Sequence, residues 1–428
     1  MRLLGYIYRA IPYNPSTQGV TVLLPVILFN TLNTAIAEPT TDVGVYGMWQ
    51  TFVFNGDSWR QQQRIHLRTS IEWDKVEAYI DFMDARIWGS EINYKTNKDT
   101  LANLYQGYVR FPVLDIGGVN HTIQVGRQEF ILNDQRHFGP GFWALGGRSF
   151  DAAVLKGTWD TGYWRAAVMQ LTNGTTFLSG DPNCTEDCSI TTDGNLMYIV
   201  HGENNWDNLS IKPYFIHQRS NPEVDVYRRI YSPGVLLTGK SNSLFYKVEG
   251  TYQFGQESDV ESHLAWMGVG ELGYQKDRFK LSAYGEINSG DGDSNDNVNN
   301  DFEGFIGRYH GLRGWSDQVG ATNLRDYSLK VQLPLQDKLI AKIEGHQFQM
   351  DQPTGDLYTF NGAVAGTASP DNTERNLGKE LDLLVVHKPF EGITMKWGHS
   401  IYVPEGAKQD FIGSEPVHFS YLWMTVQQ

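Results

Sequence analysis

From Arg60 to Trp73 the sequence alternates with a period of two. Arg60, Gln62, Arg64, His66, Arg68, Ser70 and Glu72 are polar, and Ile65, Leu67, Thr69, Ile71 and Trp73 lie between them. Successive side chains of a strand point to opposite faces, so this segment is a β-strand with one wet face and one apolar face. The next segment repeats the pattern: Val76, Ala78, Ile80 and Phe82 alternate with Glu77, Tyr79 and Asp81. Leu339, Ala341 and Ile343 do the same against Lys342, Glu344 and His346. No window offers a convincing amphipathic helix. The 428-residue chain is therefore nearly all β.

The connections carry as much information as the strands. Those at 73–77, 159–164, 274–279, 335–339 and 390–393 are short and edged with aromatic residues. Those at 89–103, 131–148, 172–193, 219–229, 290–322 and 350–377 are long and polar. Reading Ile230–Gly239 as a strand and 290–322 as a loop makes short and long connections alternate. About eighteen strands result, with both ends of the sheet on the short-turn side. A sheet in lipid can have no open edge, because an unpaired backbone group there costs several kcal/mol. The expected fold is thus a single closed antiparallel transmembrane β-barrel, with short periplasmic turns and long extracellular loops. Trp59, Trp73, Trp88, Trp159 and Trp164, five of the twelve tryptophans, sit near strand ends and are expected in interfacial girdles. A soluble propeller would show a blade-length repeat, and the sequence has none.

The first 37 residues read as a signal peptide. Arg2 and Arg9 are their only charges, Thr21–Leu32 is apolar, and Ala35-Ile36-Ala37 precedes Glu38. The apolar run falls short of the ~20 residues a spanning helix needs. The barrel is then expected over 38–428. Removing 1–37 takes away two of the 35 basic residues and no acidic one, so the net charge becomes 33 − 49 = −16. Nucleic-acid binding needs a basic footprint and is not expected. Cys184 and Cys188 are four residues apart in a polar stretch, and in an exported chain they are expected to form a local disulfide.

The stretch GRQEFILNDQRHFGPGFWALGGRSFD, Gly126 to Asp151, resembles the alginate export family of outer-membrane barrels. The resemblance rests on Gly126-Arg127-Gln128 at a strand end, Asp134 and Arg136 in the loop, then Trp143. Gly147-Arg148-Ser149-Phe150-Asp151 opens the next strand. DARIWG (84–89), SGDGD (289–293) and LGKELDLLV (377–385) add support. The resemblance implies an eighteen-stranded channel of the Gram-negative outer membrane. Its partners would be membrane lipid, the barrel-assembly machinery, and an anionic polysaccharide or small polar solute. The chain ends Val426-Gln427-Gln428, where barrels of this kind end on an aromatic residue.

Arginine binds carboxylate bidentately, and rings of charge set pore selectivity. Arg127, Arg136 and Arg148, with Arg64, Arg68 and Lys342 on the polar strand faces, are therefore the expected pore-lining residues. The alternative is that the loop arginines pair with Glu129, Asp134 and Asp151 and fix the loop. No lysine with serine or threonine follows the glycines, so the stretch is not a phosphate loop. Asp291, Asp293 and Asn295 have the first spacings of a calcium loop, but Asp296 and Phe302 occupy its glycine and glutamate positions. A solvated acidic loop is expected, with no metal and no cofactor. The eleven histidines fall in no nucleophile-elbow or metalloprotease pattern. The expected function is passage of anionic or polar carbohydrate-like solutes without chemistry. A barrel enzyme and a general porin are the alternatives.

Overall fold

In a computed structural model the described residues are 40–428 without 57, 90–99, 172–194, 221–227, 259, 294 and 309. The strands run β1 Thr40–Phe54, β2 Ser58–Trp73, β3 Val76–Ile87, β4 Thr100–Ile116, β5 Val119–Gln128, β6 Phe150–Trp159 and β7 Gly162–Leu171. They continue with β8 Asn195–Trp206, β9 Leu209–Arg219, β10 Arg229–Ser241, β11 Leu244–Gln256, β12 Ser262–Lys276 and β13 Phe279–Asn288. The two-residue β14, Val298–Asn299, is followed by β15 Leu324–Gln336 and β16 Leu339–Gln349. The small hairpin β17 Asp356–Tyr358 and β18 Val364–Thr367 precedes β19 Asn376–His387, β20 Ile393–Pro404 and β21 Val417–Gln427. One short helix, α1 Ala407–Ile412, lies in the last loop.

Eighteen of these strands form one closed antiparallel barrel. β13 pairs with β15 and β16 with β19, so β14, β17 and β18 are loop elements. Closure comes from β21 against β1, with Tyr46 opposite Gln427. The ladder is used to its end: the Gln428 N–H donates to the Val45 carbonyl at 3.1 Å. Short turns alternate with long loops as the sequence pattern requires. Several turns have two residues with positive φ at the first, among them Asp74, Asn242 and Asp277, the backbone that matches strand twist in tight hairpins. Two connections on the loop side, 55–57 and 257–261, are also short.

The outer wall carries the apolar set. Leu67, Val200, Leu272 and Leu329 are more than half exposed, as lipid-facing residues of an isolated chain must be. Trp59 and Trp88 stand at its loop end, and Trp73, Trp159 and Trp164 at its turn end.

The inner wall is less uniformly polar than the alternation implies. Met48, Met83, Met169, Met197 and Met267 are buried inside. The reason lies in the loops. Phe130, Leu132 and Phe138 of loop 129–149 pack on Met169, Met197 and Ile199. Phe302 of loop 289–323 packs on Ala265, Met267 and Tyr284, and Trp315 on Met48 and Leu384. Two loops thus fold into the barrel and bury apolar surface against its inner face. The disulfide expected between Cys184 and Cys188 and the expected signal peptide over 1–37 lie outside the described residues.

Candidate functional site

Loop 129–149 enters the barrel and is held there by charge. The Arg136 guanidinium is buried and donates from Nη1 to Glu286 at 2.7 Å, from Nε to Glu249 at 3.3 Å and from Nη2 to Asp134 at 3.4 Å. Burial opposes its charge, but the carboxylates outweigh burial and hold the group well above its ordinary range. Beside it, burial pushes His137 down to about 3, so the ring is neutral between Tyr214 and Thr251. Asp134 also accepts from Lys247 at 3.0 Å.

Wall and loop arginines clamp the rest. Arg64 on β2 donates to the carbonyls of Ala144 and Phe142 at 3.1 and 3.3 Å. Arg148 donates to the carbonyls of Ile306 and Gly307 at 3.0 and 2.8 Å, tying this loop to the second one. The neighbouring Gly147 has φ 58°, and a Cβ there would stand 2.7 Å from Tyr105 Oη and 2.8 Å from Arg64 Nη1. Only glycine fits between the two groups that position the loop.

The expectation of a pore-lining Arg127 is corrected. Arg127 shares the outward parity of Val125, opposite to buried Gln128, and pairs with exposed Asp151 at 3.2 Å. It stands at the loop-side rim of the wall with its charge met by Asp151, bordering a cavity that Tyr105, Gly147 and Ile306 also line. Of the other motif residues, Gln128 is buried and donates to the Ala152 carbonyl, and Phe150 packs with Phe138. Trp143 stacks on His310 at 3.5 Å and 6°.

Loop 289–323 meets the first loop inside. The Ile306 N–H donates to the His137 carbonyl at 3.0 Å and the Arg308 N–H to the Gln135 carbonyl at 2.7 Å. Glu380 on β19 holds its far end, accepting from the N–H groups of Trp315 and Ser316 at 2.7 and 2.8 Å and from Ser316 Oγ at 2.6 Å. Arg313 adds a second guanidinium to Glu286. The acidic stretch at 291–296 forms side-chain-to-backbone turns: Asp291 accepts from the Asp293 N–H and Asp293 from the Asn295 N–H.

The lumen mixes signs, but its charges are unequally matched. Asp81 is met by His66 at 2.7 Å and Arg68 at 3.2 Å, and Asp326 by His346 at 2.9 Å. Glu344 pairs with Lys330 at 3.3 Å, Glu249 and Glu286 with Arg136, and Asp382 accepts from Ser400. Among the described residues, Arg308, Lys342 and Lys396 have no carboxylate within 4.0 Å, and neither have Lys156 and Arg165 across the barrel. Arg308, Lys342 and Lys396 lie within Coulombic reach of one another. Burial pulls Arg308 below its usual range; Asp134 and Glu344 lie within Coulombic reach of this group but are themselves paired, with Arg136 and Lys247 and with Lys330. Arg68 is thus neutralised, while Lys342 stands in a group of unmatched cations. Parity of the period-two pattern places Lys156, Arg165 and Lys396 inward, but no local pattern marks Arg308.

The family model described as alginate export matches residues 54–405. The chain belongs to the alginate export family. No curated protein sequence matches it. Its fold is similar to outer-membrane proteins of Pseudomonas aeruginosa. OccK10 (OpdN) is 11% identical, with TM-score 0.58 over 91% of this chain and 99% of the other. OccD3 (OpdP) is 13% identical, with TM-score 0.59 over 90% and 91%. OccK2 (OpdF), solved in complex with glucuronate, is 11% identical, with TM-score 0.56 over 90% and 96%. Family and fold together make this alginate export family member a channel of the Gram-negative outer membrane.

Proposed function

We propose that this channel passes anionic, carbohydrate-like solutes by passive diffusion, and that the unmatched cations of its lumen set the preference. One observation carries this reading. The lumenal acids named above are paired, hydrogen-bonded or used to anchor a loop, whereas Arg308, Lys342 and Lys396 have no carboxylate partner among the described residues. At an effective dielectric near 20, a carboxylate ~4 Å from one such cation is attracted by roughly 4 kcal/mol. Several weaker contacts in succession attract a solute without trapping it, which conduction requires. The glucuronate complex of a channel with the same fold supports a small sugar acid as one such solute.

A reversal potential in a planar bilayer tests the proposal. With the glucosamine salt of glucuronate at unequal concentrations on the two sides and no other salt, glucuronate should permeate more readily than the glucosamine cation. Equal or reversed permeability would remove it.

A further inference from the structure

Between the two inward loops lies a cavity of about 190 Å³, room for one six-membered ring. Its apolar lining is aromatic: Phe142 and Trp143 from the first loop, Trp315 from the second, Phe360, and Trp423 from β21. Its charged lining is Arg148, Arg308 and Lys396, and no carboxylate is among the described residues that line it. The Lys396 ammonium lies 3.8 Å from the centroid of the Trp423 ring.

Several of the cavity's acceptors are already in use. The carbonyl of Gly141 accepts from the Ala144 N–H, those of Phe142 and Ala144 from Arg64, that of Gly307 from Arg148 and that of His310 from Arg308. A sugar acid would bring several hydroxyl protons, against which these carbonyls are each already engaged once and His310 Nε2 is a single ring nitrogen without a partner among the described residues. A buried donor without an acceptor is costly. A planar ring bearing one carboxylate has no such protons. Its faces suit the aromatic walls and its charge suits the cations.

A second lumenal pocket, of about 560 Å³, has the opposite character. Gln106, Gln124 and Gln128 line it with Arg110, Lys156 and Arg165 and one carboxyl, Glu129, which accepts from Tyr105. Side-chain amides both donate and accept, so a hydroxylated anion is better served there.

We infer that the cavity between the loops is a binding station for aromatic carboxylates, so that the channel serves a second solute class besides sugar acids. This rests on the anion-conducting reading above. The test adds benzoate or glucuronate to one side of a single-channel bilayer recording of the full-length protein in chloride. Benzoate should interrupt the current, and Lys396→Gln should weaken that block at least tenfold. Glucuronate at equal concentration should block less, and Lys396→Gln should weaken its block by a smaller factor than it weakens that of benzoate. Arg308→Gln is a second variant outside the barrel wall, and heat-modifiability on gels checks folding of both. Block by glucuronate equal to that by benzoate overturns the inference, as does benzoate block that both variants leave intact. A channel that prefers cations in plain chloride contradicts the earlier proposal. An anion-preferring channel that benzoate does not block contradicts only this one.

Discussion

Arg136 and Glu286 are 150 positions apart and meet at 2.7 Å, both fully buried. The contact joins the tip of the first inward loop to the barrel wall, and Arg313 of the second loop reaches the same carboxylate. Glu286 is therefore where wall and both loops converge.

Removing one member of such a cluster leaves the others charged and dry. Arg136→Met should cost about 3–5 kcal/mol, because Glu249 and Glu286 lose their main partner. The heat-modifiability transition should fall, and limited proteolysis should cut within 129–149. Adding Glu249→Gln and Glu286→Gln should recover part of the loss. An unchanged transition in the single variant would show that the loop is held elsewhere.

The second loop depends on Glu380. Glu380→Ala leaves the Trp315 and Ser316 N–H groups buried without their acceptor, at about 1–3 kcal/mol each. Single-channel conductance should become larger and noisier as loop 289–323 loosens. Identical conductance traces for variant and wild type would contradict the assigned anchor.

Docking of the same loop should depend on pH through Asp301. Burial raises this carboxyl from its ordinary 3.8 to about 6, against hydrogen bonds from Tyr358 and the Asp291 N–H and with repulsion from Asp291 and Asp356. The docked state holds the proton more tightly than the released loop does. Docking is then strongest where both states are protonated, weakens as pH rises from about 4 to 6, and is flat above. Protection of residues 298–303 against hydrogen exchange, taken relative to the unstructured rate at each pH, should fall across that window, and Asp301→Asn should abolish the change. Protection that falls toward acid would reverse the assignment.

Arg127 gives the contrasting case. Its pair with Asp151 is exposed and should be worth at most about 1 kcal/mol. Arg127→Gln should leave the reversal potential where it is. A shift toward cations would return this residue to the pore.

Much of the barrel was legible in the sequence because lipid imposes the alternation and closure imposes the strand count. Arg60–Trp73 shows the first, and the turns at Asp74 and Asp277 show where strands end. The inward loops were not legible. Met48, Met169 and Met267 break the polar inner pattern, and a single strand cannot show that Phe138 or Phe302 will cover it. The Gly126–Asp151 stretch drew attention to the right loop, yet it grouped arginines with different fates. Arg136 and Arg148 hold the loop, while parity from Val125 already places Arg127 outside. Arg308 stayed hidden because its neighbours come from distant strands, and only the folded chain brings it beside Lys342 and Lys396.

The most direct measurement is the reversal potential of single channels in a potassium chloride gradient, for wild type and for the combined Arg308→Gln, Lys342→Gln and Lys396→Gln variant. Wild type should prefer chloride. The variant, folded by heat-modifiability, should lose that preference or turn to potassium. A wild-type channel that favours potassium, or a variant that keeps the wild-type preference, would contradict the claim that these three cations set the path.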